Sequence, residues 1–127
     1  MPKQGLVLVV EDSPTQAQKL STIIRILGGL NVVVAANGFQ AIREIQTSLP
    51  DVIVMDVNLP DIDGYQLCNY LKRGALTALT PIIMLTAEQD PRGKMRALAM
   101  GVNDYIPKNA VSTESLIATL RKYIDFH

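Results

Sequence analysis

The chain has 127 residues, is 48% hydrophobic and lacks tryptophan, which is typical of one globular domain with its own core; we expect this domain to span residues 1–127. Its 12 basic and 12 acidic side chains balance, which argues against a nucleic-acid-binding or membrane-surface protein. The single cysteine, Cys68, excludes an internal disulfide and a thiolate metal site and is interpreted as an inert packing residue.

No segment of the sequence suits a membrane span or a secretion signal. The longest apolar runs have about half a dozen residues, against the roughly 20 that a membrane-spanning helix needs. The opening residues, MPKQGLVLVVED, hold too short an apolar stretch for a signal peptide. We therefore expect a cytoplasmic protein with no membrane insertion.

Short apolar runs recur along the chain and predict five strands. They are Leu6–Val10, Val32–Ala36, Val52–Met55, Ile82–Leu85 and the weaker Asp104–Pro107. Continuous apolarity is typical of strands buried on both faces of a parallel sheet. Because a proline in a strand belongs at a sheet edge, Pro107 predicts that the fifth strand lies at one side.

The segments that follow these runs carry the signals of five helices. The predicted N-terminal caps are Ser13, Asn37, Asp63, Asp90 and Ser112, whose side-chain oxygens can accept hydrogen bonds from a first helical turn. The side chains predicted to face the core are Leu20, Ile23, Ile24, Leu27, Phe39, Ile42, Ile45, Leu49, Leu67, Leu71, Leu116, Leu120 and Tyr123. Strand and helix alternate five times, which predicts a flavodoxin-like, doubly wound α/β fold with a five-stranded parallel sheet in the order 2-1-3-4-5.

Polar residues stand at the ends of four predicted strands. Glu11 and Asp12 follow the first strand, Asp56 the third, Thr86 the fourth and Lys108 the fifth. In open α/β sheets the functional site lies beyond the carboxyl ends of the strands, and the predicted order makes these four strands neighbours. We therefore expect three carboxylates, one hydroxyl and one ammonium to converge.

This set of groups favours phosphoryl chemistry. Three neighbouring carboxylates repel one another and need a cation, and Mg²⁺ suits a site of a few oxygens. Together with Lys108, the metal would attract a phosphoryl group, which a carboxylate can accept as an aspartyl-phosphate. Taken singly, Asp56 is also explained as a turn residue, and Glu11 and Asp12 as solvated loop acids.

Four motifs, VLVVEDSP, VIVMDVNLPDIDGY, PIIMLTA and GVNDYIPK, together resemble the receiver domain of two-component response regulators, over essentially the whole chain. The chain looks most similar to the stand-alone, CheY-like chemotaxis type. The resemblance implies that Asp56 is the phosphoacceptor and that Thr86 and Lys108 contact the phosphoryl group. It implies Mg²⁺ ligands at Glu11, Asp12, Asp56 and the carbonyl of Asn58, and a switch made by Thr86 and Tyr105. It also implies that Asn58 and Glu88 set a short phosphoryl lifetime.

The resemblance implies a signalling protein rather than an enzyme with a separate substrate. A sensor histidine kinase or phosphotransfer protein would supply the phosphoryl group, and the chain itself would catalyse phosphotransfer and autodephosphorylation. Output would pass by protein–protein contact to a downstream target, without nucleic acid, from a monomer or a phosphorylation-dependent dimer. Chemotaxis, phototaxis, pilus motility and a developmental phosphorelay are the processes compatible with this reading.

One position departs from the family pattern, which has a proline after the lysine. Here Asn109 follows Lys108, so we expect a trans bond at this position, which leaves open the shape of the loop and its docking to partners. The residues Arg92, Lys94 and Arg96 form either a solvated basic face or part of an output surface.

Three other functions share parts of this pattern. A flavodoxin needs a phosphate-binding loop where Glu11 and Asp12 would repel the phosphate. A phosphatase of the haloacid dehalogenase type uses a second aspartate where this chain has Asn58. A phosphorylation-independent pseudo-receiver, which would act purely by binding, is the main alternative, although such domains usually lack part of the acidic set or the lysine.

Overall fold

Five strands and five α-helices alternate along the residues that the computed structural model describes, 5–87 and 91–124. The strands are β1 (Leu6–Val10), β2 (Asn31–Ala35), β3 (Val52–Asp56), β4 (Ile82–Thr86) and β5 (Asp104–Pro107). The helices are α1 (Pro14–Thr22), α2 (Gly38–Thr47), α3 (Gly64–Arg73), α4 (Pro91–Ala99) and α5 (Thr113–Leu120). A π-helical turn (Ile23–Leu27) extends α1, and a 3₁₀ turn (Lys108–Ala110) follows β5.

The strands form one parallel sheet in the order β2-β1-β3-β4-β5, so the predicted fold class and strand order are confirmed. β3 and β4 are buried along their whole length, whereas β5 is half-buried at the edge that Pro107 predicts. Apolar side chains pack on both sheet faces, one beneath α1 and α5 and the other beneath α2, α3 and α4. No helix among the described residues is long and apolar enough to cross a membrane.

Four of the predicted caps are present. The side chains of Ser13, Asn37, Asp63 and Ser112 accept hydrogen bonds from the amides of Gln16 (3.4 Å), Gln40 (2.9 Å), Tyr65 (2.6 Å) and Ser115 (3.1 Å). These bonds satisfy amides that have no partner within the first helical turn. Asp90, the predicted cap of α4, lies outside the described residues.

Three apolar side chains predicted to face the core are exposed instead. The exposed fractions are 57% for Leu27, 67% for Phe39 and 47% for Leu49. Phe39 lies about 100° around α2 from the buried Gly38, and Leu49 follows the extended residue Ser48 that ends the helix. Leu27 belongs to the π-helical turn, whose wider hydrogen-bonding pattern breaks the 3.6-residue spacing on which the prediction depended.

Side-chain contacts fasten α3 to the edge of the sheet remote from the strands' carboxyl ends. The Lys72 ammonium donates to the carbonyl of Thr80 at 2.7 Å and to Asn103 Oδ1 at 3.2 Å. The same Oδ1 accepts the amide of Ile82 at 2.9 Å, so one side chain joins the starts of β4 and β5 to α3. Nearby, the buried Cys68 thiol donates to the carbonyl of Met100 at 3.5 Å, and burial raises the pKa of this thiol, as befits a packing residue.

Asp61 caps α2 from a distant part of the chain. Its Oδ1 accepts the amide of Gly38 at 2.8 Å and its Oδ2 accepts the amide of Phe39 at 2.9 Å. The sequence indicated only a turn and a cap of α3 in this loop. The long-range cap therefore ties the loop after β3 to the start of α2.

We expect Asp61→Ala to lower the free energy of unfolding by about 1 kcal/mol, because the two amides lose their acceptor. Desolvation acts to raise the pKa of Asp61, but the amides of Gly38 and Phe39 lower it on balance. The stabilisation is therefore present above the ordinary value of 3.8 and is lost as the pH falls through the lowered pKa. Urea denaturation of wild type and Asp61→Ala, at pH values above and below 3.8, measures this contribution. Asp61→Asn, which keeps one acceptor, should lose less free energy of unfolding than Asp61→Ala. An Asp61→Ala variant as stable as the wild type would contradict the cap.

Candidate functional site

A lysine bridges two buried carboxylates at the carboxyl ends of the strands. The Lys108 ammonium lies 2.6 Å from Asp56 Oδ2 and 3.1 Å from Glu11 Oε1. Asp56 ends β3 with an exposed fraction of 5%, and Glu11, directly after β1, is also buried. Ionised carboxylates are held inside a protein only with such pairing.

Asp12 adds a third carboxylate on the solvent side of this pair. Glu11, Asp12 and Asp56 each offer one oxygen, and these three oxygens lie within 4.8 Å of one another. Asp12 is exposed, so the cluster opens to water. Hard oxygen donors with access to water are the ligands that Mg²⁺ prefers, and the donor set therefore fits this ion.

The loop after β3 orients Asp56 and fixes its distance from α3. The amide of Asn58 donates to Asp56 Oδ1 at 3.0 Å. Gly64, the first residue of α3, lies against the main chain of this loop: a Cβ there would be 2.7 Å from the Asp56 carbonyl oxygen and 2.8 Å from Val57 Cα. Only glycine allows this approach, so α3 and the Asp56 loop sit in direct backbone contact.

The remaining predicted residues lie on β4 and β5. Thr86 ends β4, is buried, and stands in register with Pro107, directly before Lys108. Tyr105 is half-buried beside Met84, and its hydroxyl lies 3.3 Å from the hydroxyl of Tyr65. Asn58 is exposed. Glu88, to which the resemblance assigned a part in phosphoryl lifetime, lies outside the described residues.

The charges at the site influence one another. Burial, reinforced by the charge of Asp56, raises the pKa of Glu11, although hydrogen bonds from Ser13 and Lys108 oppose the shift. Burial acts to lower the pKa of Lys108, but its hydrogen bonds and ion pairs with Asp56 and Glu11 raise it on balance. Lys108 is therefore a permanent cation at neutral pH, in contact with both carboxylates.

The peptide bond after Lys108 is trans, as expected, since the described residues contain no cis peptide bond. Asn109 lies in the 3₁₀ turn that follows β5. With asparagine at this position, the Lys108 ammonium still contacts Asp56 at 2.6 Å.

We expect Glu11→Gln to stabilise the metal-free protein at neutral pH and to reduce its stabilisation by Mg²⁺. A raised pKa means that Glu11 is harder to ionise in the folded chain than in the unfolded one. Ionisation of Glu11 therefore lowers the free energy of unfolding as the pH rises above 4.5. The amide removes that charge but is a poorer metal ligand. Urea denaturation with EDTA and with Mg²⁺ tests both effects; a variant that is less stable in EDTA and gains as much from Mg²⁺ as the wild type would contradict them.

Two long-range contacts were not found from the sequence: the Tyr65–Tyr105 contact beside the site, and the cap of α2 by Asp61, which lies outside the site. Tyr65 follows the α3 cap and meets Tyr105 across 40 positions of the chain, and no local pattern marks a hydroxyl pair of this kind. Asp61 stands in a loop rich in aspartate, which indicates a cap without identifying the helix. Both contacts depend on tertiary structure rather than on spacing.

Known proteins resemble this chain over most of its length. Residues 7–121 match the family model described as the response regulator receiver domain. Over 118 residues the chain is 30% identical to Protein PilG of Pseudomonas aeruginosa, covering 93% of this chain and 86% of PilG. It is 32% identical to Protein PilH of the same organism over 114 residues, which cover 90% of this chain and 93% of PilH.

Solved structures agree in fold. The chemotaxis response regulator CheY4 of Vibrio cholerae superposes with a TM-score of 0.87 at 31% identity, covering 96% of this chain and 100% of CheY4. The receiver domain of the sensor histidine kinase PA1611 of Pseudomonas aeruginosa, solved with a magnesium ion in its active-site cleft, gives a TM-score of 0.85 at 30% identity, covering 95% of this chain and 98% of that one.

Proposed function

The chain belongs to the response regulator receiver family, and from this we propose that it is a phosphorelay protein whose phosphoacceptor is Asp56. The observation that carries the proposal is a buried carboxylate at the end of β3, held 2.6 Å from the Lys108 ammonium beside two further acids. Strongly interacting charged groups of this kind gather at functional sites. A module that acts purely by binding does not require three carboxylates and a lysine at one place.

We propose that Glu11, Asp12, Asp56 and the Asn58 carbonyl hold Mg²⁺. The support is the cluster of three carboxylate oxygens within 4.8 Å and the magnesium ion described for the related receiver domain of PA1611. When bound, the metal supplies positive charge for the phosphoryl oxygens. Three carboxylates beside the single Lys108 ammonium favour the binding of such an ion.

In the proposed transfer, one Asp56 oxygen attacks the phosphorus of a phosphohistidine on a sensor kinase or phosphotransfer protein. An oxygen–phosphorus bond forms as the phosphorus–nitrogen bond breaks, and the electron pair returns to the partner's imidazole. Lys108 already contacts Asp56 and would neutralise the phosphoryl charge, while the Thr86 hydroxyl would donate to a phosphoryl oxygen. These groups act by position and charge rather than by covalent chemistry.

The proposed response is a shift between two pre-existing arrangements of the surface around α4 and β5. Phosphorylation would draw Thr86 toward the phosphoryl group and let Tyr105 turn inward. Tyr105 is only half-buried here, so an inward turn would increase its burial. Output would then pass by protein contact, from a monomer or a phosphorylation-dependent dimer.

The proposed setting is a cytoplasmic pathway that controls motility, whether chemotaxis, phototaxis or pilus movement. It is supported by the likeness to a chemotaxis response regulator over 96% of this chain. The direct test of the proposed function is whether acetyl phosphate forms a Mg²⁺-dependent adduct on Asp56. A chain that binds Mg²⁺ but forms no adduct, from acetyl phosphate or from a kinase, would leave a phosphorylation-independent binding module.

A further inference from the structure

Tyr105 is held in place by a second tyrosine, Tyr65, at the start of α3. The two hydroxyls lie 3.3 Å apart, so one donates to the other. Tyr65 is almost completely buried. Burial and the hydrogen bond with Tyr105 both raise the pKa of Tyr65, and its hydroxyl therefore keeps its proton at neutral pH.

The helix α4 closes over this pair of tyrosines. A Cβ placed on Gly93 would lie 2.7 Å from the Tyr105 hydroxyl and 3.0 Å from the Tyr65 hydroxyl. The backbone of α4 thus approaches both oxygens at a position where only glycine fits without displacement. The tyrosine pair therefore fixes how closely α4 lies to α3 and β5.

Arg96 joins the same contact from the next turn of α4. Its guanidinium lies 4.4 Å from the centre of the Tyr65 ring, a cation–π distance. It also lies 3.9 Å from Asp63 Oδ2, while Asp63 Oδ1 caps the helix that carries Tyr65. Tyr65 is thus held through its amide by Asp63, the cap of α3, and through its ring by Arg96 of α4.

From these contacts we propose that Tyr65 is a positioning residue that holds Tyr105 and α4 in the arrangement of the unphosphorylated protein. The inference rests on the proposed function, in which Tyr105 turns inward on phosphorylation. A rotation that carries the Tyr105 hydroxyl away from its present position would break its 3.3 Å contact with the Tyr65 hydroxyl. Removing the Tyr65 hydroxyl therefore removes a contact of the unphosphorylated arrangement and favours the phosphorylated one.

The test compares Tyr65→Phe with Tyr70→Phe, which removes an exposed hydroxyl from the same helix. Beryllofluoride with Mg²⁺ serves as the phosphoryl analogue. Tyr65→Phe should bind it about two- to tenfold more tightly, the range expected for one hydrogen bond, while Tyr70→Phe should match the wild type. Gly93→Ala, whose methyl would meet both hydroxyls and displace at least one of them, should change affinity in the same direction as Tyr65→Phe.

Fluorine NMR of chains labelled with 3-fluorotyrosine adds a readout that does not need the analogue. In the unphosphorylated protein, the Tyr105 resonance should move in Tyr65→Phe and stay in place in Tyr70→Phe. Unchanged or weaker beryllofluoride binding by Tyr65→Phe would overturn the inference. If the wild type binds no beryllofluoride, the proposed function fails, and the Tyr105 resonance alone then decides whether Tyr65 positions it.

Discussion

We expect Asp56→Asn to abolish the phosphoryl adduct that acetyl phosphate forms with the wild-type chain in the presence of Mg²⁺. The amide is close in shape to the carboxylate but cannot form the acyl phosphate. Asp56 is buried at the end of β3, and its 2.6 Å contact with the Lys108 ammonium is shorter than the 3.1 Å contact of Glu11. Intact-protein mass spectrometry, with Mg²⁺ and with EDTA, measures the adduct.

The matched control is Asp61→Asn, which alters an exposed carboxylate in the loop after β3. This variant should form the adduct as the wild type does, because Asp61 is engaged with the amides of α2 rather than with Lys108. An adduct retained by Asp56→Asn would move the phosphoacceptor to another side chain. No adduct on a wild-type chain that binds Mg²⁺ would leave a receiver that needs its kinase, or one disabled by the loop after Lys108.

Replacing Lys108 with methionine should lower the free energy of unfolding of the metal-free protein by about 3 kcal/mol at neutral pH, because it leaves two buried carboxylates without their shared cation. Methionine retains much of the apolar stem, so the change is mainly one of charge. Urea denaturation in EDTA measures the loss. Added Mg²⁺ should restore part of it, since an ion that binds the folded state stabilises that state.

The control for this experiment is Lys122→Met. Lys122 lies 3.2 Å from Asp104, but the lysine side chain is 59% exposed, and surface ion pairs contribute only about 0–1 kcal/mol. If the two substitutions lowered the free energy of unfolding equally, Lys108 would contribute no more than a surface ion pair, which would contradict the prediction. In the wild type, the contribution of Lys108 is fully present below its ordinary pKa of 10.5 and is lost as the pH rises through the raised value.

Strand positions and strand order could be predicted because each strand has a recognisable pattern in its own residues. β3 and β4 are buried on both faces, which requires runs of apolar residues, and a proline marks the edge strand. The convergence of Glu11, Asp56 and Lys108 then follows from topology, because parallel strands end at one edge of the sheet. Their separations of 3.1 and 2.6 Å from the lysine could not be read from the sequence.

Helix faces were harder to predict because apolar side chains are common on protein surfaces. Phe39 fits the spacing of Ile42 and Ile45, yet the buried face of α2 runs through Gly38 and Ala41. Ala41 belongs to the core beneath the sheet, and Gly38 packs against an isoleucine in the loop after β3, so the phenylalanine lies outside this face. A prediction of the buried helix face from hydrophobicity alone favours large apolar residues and overlooks glycine and alanine.

Contacts between distant side chains left no pattern in the sequence. Tyr65 and Tyr105 are 40 positions apart, and Asp61 and Gly38 are 23 apart. Each pair meets only after the sheet and helices are assembled. The motifs record local spacing only, and for that reason they cannot predict such contacts.

The contacts that fasten α3 to the edge of the sheet remote from the strands' carboxyl ends also restrict how α4 can move. Cys68 holds the carbonyl of Met100, directly after the end of α4, while Asn103 and Lys72 hold the start of β5. We therefore expect α4 to move like a rod with a pivot at its C-terminal end, so that its first turn swings furthest. Gly93 lies about 10 Å along the helix axis from that pivot, so its contact with the two tyrosines restrains α4 far from the pivot, where a small force opposes the movement effectively.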